Sequence, residues 1–521
     1  MVKIRTALTA AVAGTLLLTG CGVNASSFGA QRLGGEASAL KRGGFTPKWV
    51  KDAVFYQIFP ERFMNGDKRN DPKDVKPWGT KPELYNYMGG DLAGVRKQIP
   101  YMKNLGVNAI YFNPVFHGDS NHKYNTIDYM TIDPAFGTNA EFKSMISELR
   151  RNGIKVILDG VFNHASRGFL PFHDLLENGE ASPYRDWFHV HGFPLGAYGE
   201  GGVAPQYDCW WGLPALPKLN TATPQVREYL WSVGEHWLRF GIDGWRLDVP
   251  NEIDDDAFWR EFRHRCRVVN PEAYIVGEIW DDASRWLQGD QFDAVMNYPV
   301  SKAVLGFAAR QVDRDEVAKC GYKDLPILTA EGFAKALRAE WERHPRPITE
   351  AQLNLLGSHD TPRVAAVVNG DATAVHLAAL LLFTLPGAPC VYYGDEIGLA
   401  GGHDPGCREG MPWDRPDAWD RERLAWFRDV IALRHAHPAL RTGDVDVVYA
   451  HRGVVAFRRR LADDDLLVVV NQRDDAAHAR VPLAGLAPGV RLPLLGSAAV
   501  DVEDGVLHVR VPARSGVVVR L

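Results

Sequence analysis

The feature that most constrains this chain is a series of eight short apolar runs, separated by stretches that would make amphipathic helices. The runs cover residues 53–60, 108–115, 155–161, 242–249, 273–280, 294–300, 353–357 and 388–393. They are almost continuously apolar, without the in–out alternation of a half-exposed sheet. That pattern suits strands covered on both faces, as in parallel sheets. The stretches between them include 92–105, 140–151 and 224–240, where apolar residues recur at helical spacing. Eight strand–helix units predict an α/β fold, a TIM-type (β/α)8 barrel. A doubly wound open sheet is the alternative at this level.

Two regions break the alternation. Residues 166–220, between the third run and the next helix, are aromatic and rich in Gly, Pro and His. A connection this long inside a domain is usually functional, so it reads as a lobe inserted after strand 3 and lying over the barrel's top. Beyond residue 439 the helical spacing stops. Residues 445–457, 466–471, 489–494 and 506–521 read as short strands with turn residues between them. They predict a C-terminal antiparallel β-sandwich over 439–521, after a barrel spanning 49–438.

The N-terminus reads as a targeting segment. Lys3 and Arg5 precede an apolar run over 6–18, followed by Leu18-Thr19-Gly20-Cys21. This is the layout of a secretory signal, and the last four residues resemble a bacterial lipobox. That resemblance implies cleavage after Gly20, lipid on Cys21, and an exported protein anchored to a bacterial membrane, facing the periplasm or the exterior. An ordinary signal with a chance cysteine is the alternative. Residues 22–44 are rich in Gly, Ser and Ala, so 21–48 reads as a flexible tether. A net charge of −5 argues against a nucleic-acid partner. The other cysteines, Cys209, Cys266, Cys320, Cys390 and Cys407, are scattered with no C-x-x-C pair. That excludes a disulfide scaffold and a zinc site, though one bridge could exist between partners the spacing does not identify.

Chemistry gathers where the runs end, which in a barrel of this type is the catalytic face. The stretch 240–252, FGIDGWRLDVPNE, alternates so that Arg246 and Asp248 share one face. An arginine beside a carboxylate favours its ionised form, which a nucleophile requires. The third run ends in Asp159-Gly-Val-Phe-Asn163-His164, the fifth in Gly277-Glu278-Ile279-Trp280, and the seventh leads to Ser358-His359-Asp360. Three carboxylates at three strand ends, with an arginine and two histidines around them, exceed what a purely structural arrangement would supply.

These segments, in this order, resemble the α-amylase family of glycoside hydrolases over roughly residues 49–440. Leu216-Pro217-Lys218-Leu219-Asn220 resembles the signature of its neopullulanase, cyclomaltodextrinase and maltogenic amylase branch. So do Tyr56-Gln57-Ile58-Phe59-Pro60-Glu61-Arg62-Phe63, His122-Lys123-Tyr124 and residues 401–413. The resemblance implies a retaining hydrolase of α-1,4 bonds, with α-1,6 bonds left open, in maltooligosaccharides, cyclodextrins, pullulan or starch. Asp248 would be the nucleophile, Glu278 the acid and base, and Asp360 the residue that grips the sugar hydroxyls. Retaining carboxyl pairs stand about 5–5.5 Å apart, and the acid's environment should raise its pKa while Arg246 depresses that of Asp248. His122, His164 and His359 would donate to the same sugar, with Tyr124 stacked beneath it. Asp404 and Arg408 would contact the sugar at the closed end of the cleft. Glu252 and Trp280 would line the leaving-group side.

The resemblance also implies structural Ca²⁺. Asn65, Asp67, Asn70, Asp71 and Asp91 would supply side-chain oxygens and Gly89 its carbonyl, a hard-oxygen set that suits this ion. Two departures stand out. Members of the branch usually carry an N-terminal β-sandwich that helps form a dimer. Here only the tether precedes Trp49, which favours a monomer and puts a strong cyclodextrin preference in doubt. Pro250 stands where the branch more often has a small residue. A transglycosylase or isomerase of the same family is the second reading. A non-catalytic glucan-binding surface protein is the third, and the three carboxylates speak against it.

Overall fold

The eight apolar runs become the strands of one parallel sheet. β1 is Phe55–Ile58, β2 Ala109–Phe112, β3 Lys155–Gly160, β4 Gly244–Leu247, β5 Tyr274–Gly277, β6 Ala294–Val295, β7 Leu353–Leu355 and β8 Ala388–Tyr392. Their order across the sheet is β6-β5-β4-β3-β2-β1-β8-β7, and a parallel bridge from Met296 to Leu353 joins its two ends. This is a closed barrel, not an open doubly wound sheet. The structure, a computed structural model, describes residues 46–199, 205–483 and 485–521. The expected signal, Cys21 and the tether up to residue 45 lie outside the described residues.

Local sequence explains where the surrounding helices begin and end. Asn139–Arg151 starts at a capping box in which Thr138 and Glu141 satisfy each other's backbone amides. Pro224–Phe240 has proline at its first position and stops at Gly241, whose φ of 126° a side chain would resist. It buries Val226, Leu230, Val233 and Trp237, one face at helical spacing.

β6 is shorter than the 294–300 expected. Asn297 caps the helix Tyr298–Ala308, accepting from Val300 N, and Pro299 lies in that helix's first turn. Proline cannot donate to a strand ladder, so the apolar run is divided between a two-residue strand and a helix. The lobe after β3 carries the helix Leu170–Asn178 and is pinned back by bridges His164–Lys218 and Phe188–Leu219.

The C-terminal region is a sandwich of a five-stranded and a four-stranded antiparallel sheet. The expected strand 445–457 is a hairpin, Asp444–His451 with Val454–Leu461, turning at Arg452-Gly453 where both φ values are positive. Strands Ala477–Pro482 and Ala499–Glu503 lie outside the expected runs; each is short, with small or few apolar residues on its inward face. In Asp464–Asn471, Leu466, Val468 and Val470 join the barrel's core, while Leu467 and Val469 fill the sandwich. The run is continuously apolar because both faces are covered. The five cysteines Cys209, Cys266, Cys320, Cys390 and Cys407 are free. Among the described residues no helix is long and apolar enough to cross a membrane.

Candidate active site

Register alone brings the first acids together. β3 and β4 pair so that Asp159 lies opposite Arg246, and β4 and β5 pair Leu247 with Gly277. The next residue on each of these two strands is Asp248 and Glu278, so the two carboxyls leave adjacent strands at the same height. Arg246 is wholly buried between them. Its Nη1 lies 2.8 Å from Asp159 Oδ1 and 3.1 Å from Asp248 Oδ1, and its Nη2 lies 2.9 Å from Glu278 Oε2. Asp248 Oδ2 is buried with no hydrogen-bond partner. Glu278 accepts from Val249 N at 3.1 Å and from Trp280 Nε1 at 3.1 Å. Val249 holds φ 34°, ψ 50°, a left-handed conformation that a β-branched residue adopts only under local constraint.

A chain of hydrogen bonds crosses the lumen from β1 to Arg246. Gln57 Nε2 donates to His359 Nδ1 at 2.9 Å, which puts the histidine's proton on Nε2, 2.6 Å from the Tyr124 hydroxyl. Tyr124 and Tyr111 both donate to Asp159 Oδ2, at 2.7 and 2.9 Å. His164 donates from Nε2 to the Tyr124 carbonyl at 3.1 Å, and His122 Nδ1 accepts from Tyr124 N at 3.1 Å. The loop after β8 closes one side. Arg408 Nε donates to the His359 carbonyl at 3.0 Å, its Nη1 pairs with Asp404 at 2.9 Å, and its Nη2 lies 3.6 Å from Asp360 Oδ1.

Burial governs the protonation of these groups. It lowers His122 to about 3 and His164 to about 4, and carries His359 well below the ordinary histidine range. All three are neutral hydrogen-bonding groups near neutral pH. Burial lifts Asp360 to about 7, with Glu278 adding to the rise and Arg408 and Arg246 opposing it. Arg246 pulls the Asp248 pKa down, as expected, but it is outweighed. Burial raises the pKa well above the carboxylate range, Arg246 opposes this, and Glu278, Asp159 and Asp360 push the same way as burial. Arg246 is shared among three carboxyls, so it does not serve Asp248 alone.

A family model for the α-amylase catalytic domain matches residues 57–432. The chain belongs to the α-amylase family. Within that family it is 47% identical to a cyclomaltodextrinase from a Bacillus species over 455 residues, 87% of this chain and 77% of the other. Among solved structures, Ttha1563 from Thermus thermophilus aligns with a TM-score of 0.86 and 47% identity, covering 91% of this chain and 99% of that one. A debranching enzyme from Nostoc punctiforme aligns at 0.84 and 44%, with the same coverage.

The remaining expected residues of this α-amylase family site fall around the same lumen end. Trp280 stacks on Tyr298 with ring centres 3.6 Å apart, and Glu252 lies 3.5 Å from Lys218 Nζ. Several residues of the network were not singled out from the sequence. Asp159 lies in the motif that ends the third run, but its partnership with Arg246 needs the strand pairing. Gln57 is marked in the sequence as a polar residue inside an apolar run. Trp210, whose indole stacks on His164 at 5.0 Å, comes from the lobe and had no signal beyond its aromatic type.

Of the expected calcium ligands, Asn65, Asp71 and Gly89 come together. Asn65 Nδ2 donates to Asp71 Oδ1 at 2.6 Å, and a Cβ added to Gly89 would stand 2.4 Å from that oxygen. The Oδ1 atoms of Asn65 and Asn70 are buried without hydrogen-bond partners. Asp67 instead faces Arg69, and Asp91 caps the helix Leu92–Lys97 and also accepts from Gly66 N and Asp67 N. Among the described residues no three His, Cys, Asp or Glu side chains are gathered as a metal site. The side-chain oxygens that suit a hard cation here are those of Asn65, Asn70 and Asp71.

Proposed function

We propose that this chain hydrolyses α-glucosidic bonds with retention of anomeric configuration, with Asp248 as nucleophile, Glu278 as acid and base, and Asp360 as the grip on the sugar. The observation that carries the reading is the cation that Asp248 shares with Glu278. Asp248 Oδ1 is tied to Arg246 at 3.1 Å, and the same guanidinium lies 2.9 Å from Glu278, which leaves the neighbouring in-register strand at the same height. Two carboxyls that share one buried cation can hold one proton between them, the arrangement a nucleophile and an acid require.

In the first step Asp248, ionised with Arg246 beside it while the site's proton rests on Glu278, attacks the anomeric carbon through Oδ2 as Glu278 gives that proton to the departing glycosidic oxygen. Glu278 then takes a proton from water, which displaces Asp248 and regenerates both carboxyls. Asp360, protonated over part of the neutral range, and the neutral His122 bond the sugar hydroxyls, while His164 and His359 hold Tyr124 in place. The bonds to the sugar tighten as the ring flattens. Tyr124 stays fixed by Asp159 and His359 while its ring supports the sugar.

The substrates are maltooligosaccharides, cyclodextrins, pullulan or starch, in keeping with the cyclomaltodextrinase relative. A second reading, α-1,6 cleavage, is favoured by the similarity to a debranching enzyme. Product profiles on β-cyclodextrin, pullulan and soluble starch, with NMR of the first-released anomer, test both. An α-anomer supports retention, and a β-anomer overturns it. Panose from pullulan assigns cleavage to α-1,4 bonds, and maltotriose assigns it to α-1,6 bonds.

Calcium, if bound, would be held by Asn65, Asn70, Asp71 and the Gly89 carbonyl. Asp67 and Asp91 would join by turning from their present partners. The ion would fix the first loop and take no part in bond cleavage. The sequence over residues 1–21 supports export and lipidation at Cys21. A Cys21→Ser variant released into the soluble fraction would bear this out, and one unchanged in the membrane fraction would refute it. Monomeric behaviour in sedimentation is expected.

A further inference from the structure

The loop that brings Asp404 and Arg408 to the site has a brace from elsewhere in the chain. Its turn folds tightly on itself, and a Cβ added at Gly401 would stand 2.1 Å from the Gly406 carbonyl. Glu316, in the short helix Arg314–Val317, reaches the apex of that turn. Its Oε2 accepts from His403 N at 2.6 Å and lies 3.1 Å from His403 Nδ1, while its Oε1 pairs with Lys319 at 2.9 Å. A Cβ on Gly402 would come within 2.6 Å of Oε2, so the carboxylate lies directly against the turn's backbone. Burial works against the charge, but the His403 and Lys319 hydrogen bonds outweigh it and hold Glu316 down at about 2.

The brace is itself anchored. Asp313 caps the helix, accepting from Glu316 N at 3.0 Å, and donates its own amide to the Val367 carbonyl at 3.0 Å. Further along the same segment, Gly321 packs on the Trp280 ring so closely that a Cβ would lie 2.2 Å from it. One segment therefore touches both the tryptophan that bonds Glu278 and the turn that carries Asp404 and Arg408.

We propose that Glu316 is a positioning residue that fixes the turn bearing Asp404 and Arg408, and so sets the affinity for the sugar unit next to the one attacked. This rests on the reading of the site given above, with Asp404 and Arg408 contacting the sugar at the closed end of the cleft, one unit beyond the one attacked. Substrates that reach that unit should feel the brace, and substrates that do not should be indifferent to it.

The test compares p-nitrophenyl α-maltoside, which fills both positions, with p-nitrophenyl α-glucoside, which fills only the attacked one. Hydrogen bonds to a charged group are among the stronger ones in a fold, and partial transmission through the turn gives an expected rise of about ten-fold in KM for the maltoside in Glu316→Ala. The expected kcat lies within about two-fold of the parent, and the glucoside KM is unchanged. Glu316→Gln keeps one oxygen for the His403 amide and should recover most of the loss. Gly402→Ala, which pushes the carboxylate aside, should reproduce the maltoside-specific rise, and it carries the test if Glu316→Ala does not fold. An unchanged maltoside KM in Glu316→Ala or Gly402→Ala overturns the proposal. So does an equal fall in kcat on both substrates. If the unsubstituted chain cleaves neither glycoside, the reading of the site itself fails. If it cleaves both and the ratio of their KM values does not move, only the role of Glu316 fails.

Discussion

Replacing Glu278 with glutamine separates proton donation from everything else this residue does. Glu278 touches three donors: Trp280 Nε1 and Val249 N, each at 3.1 Å, and Arg246 Nη2 at 2.9 Å. Glutamine has a single acceptor oxygen, so one N–H among these faces an amide NH₂. That mismatch should cost about 1–3 kcal/mol of stability, read as a small fall in the thermal midpoint. The larger effect is on turnover. Losing a general acid removes about 10²–10⁴ in rate, or about 3–5 kcal/mol of barrier at about 1.36 kcal/mol per decade. That loss should depend on the leaving group. Maltotriose, whose departing sugar oxygen needs a proton, should lose the full amount in formation of the covalent intermediate. A maltosyl fluoride, whose leaving group departs without one, should lose less than about ten-fold in the same step. Single-turnover kinetics on the two substrates measure this step directly. Equal losses on both, or retention of more than about a tenth of the maltotriose rate, would refute the assignment of Glu278 as the acid.

Three further outcomes follow from the same geometry. Arg246→Met strands the buried carboxyls of Asp159, Asp248 and Glu278, and should cost about 3–5 kcal/mol of stability along with activity. Adding Asp159→Asn should restore part of the stability and none of the activity, and strictly additive losses in denaturant melts would contradict the shared network. Asp360, raised in the fold to about 7, binds its proton more tightly folded than unfolded, so its contribution to stability is full at acid pH and fades as pH rises through about 4 to 7. Asp360→Asn should flatten that fall and be about 2 kcal/mol more stable than the parent at about pH 8, a figure held below the full shift because the side chain is 30% exposed. Its turnover should drop about 10²-fold or more, and parallel pH–stability curves would contradict the carboxyl's raised pKa. Chelation should lower the thermal midpoint and added Ca²⁺ should restore it, with Asn65→Ala/Asp71→Ala abolishing the response; a midpoint insensitive to chelator would remove the metal.

The extent to which this fold can be read from its sequence differs between the barrel and the sandwich. Parallel strands covered on both faces are largely apolar, so each barrel strand shows as one short run with at most a few polar residues in it. The sandwich mixes continuously apolar strands with alternating ones. Ala477–Pro482 alternates strictly, but two of its three buried positions are alanines, so the apolar signal is faint, and Arg452-Gly453 places a hairpin inside the stretch 445–457. At β6 the sequence contains its own correction, since Asn297 and Pro299 signal a helix start within an apolar run.

The acids themselves are legible because each sits one or a few residues past a strand end, and in a parallel barrel those ends share a face. Asp248 and Glu278 stand side by side because β4 and β5 pair in register, which the chain encodes in strand position alone. The sequence by itself also determined which side chains could do the chemistry, since carboxyls, an arginine and histidines gather at those ends. Tertiary structure decided how they share charge. Arg246 looked like a private partner for Asp248, but the fold sets it against Asp159 and Glu278 as well, and burial reverses the direction in which Asp248 shifts. Spacing along a chain shows which residues face one another across a strand. It carries no information on how many other buried charges, from β3, β5 and the loop after β7, reach the same point, or on how little water remains there to screen them.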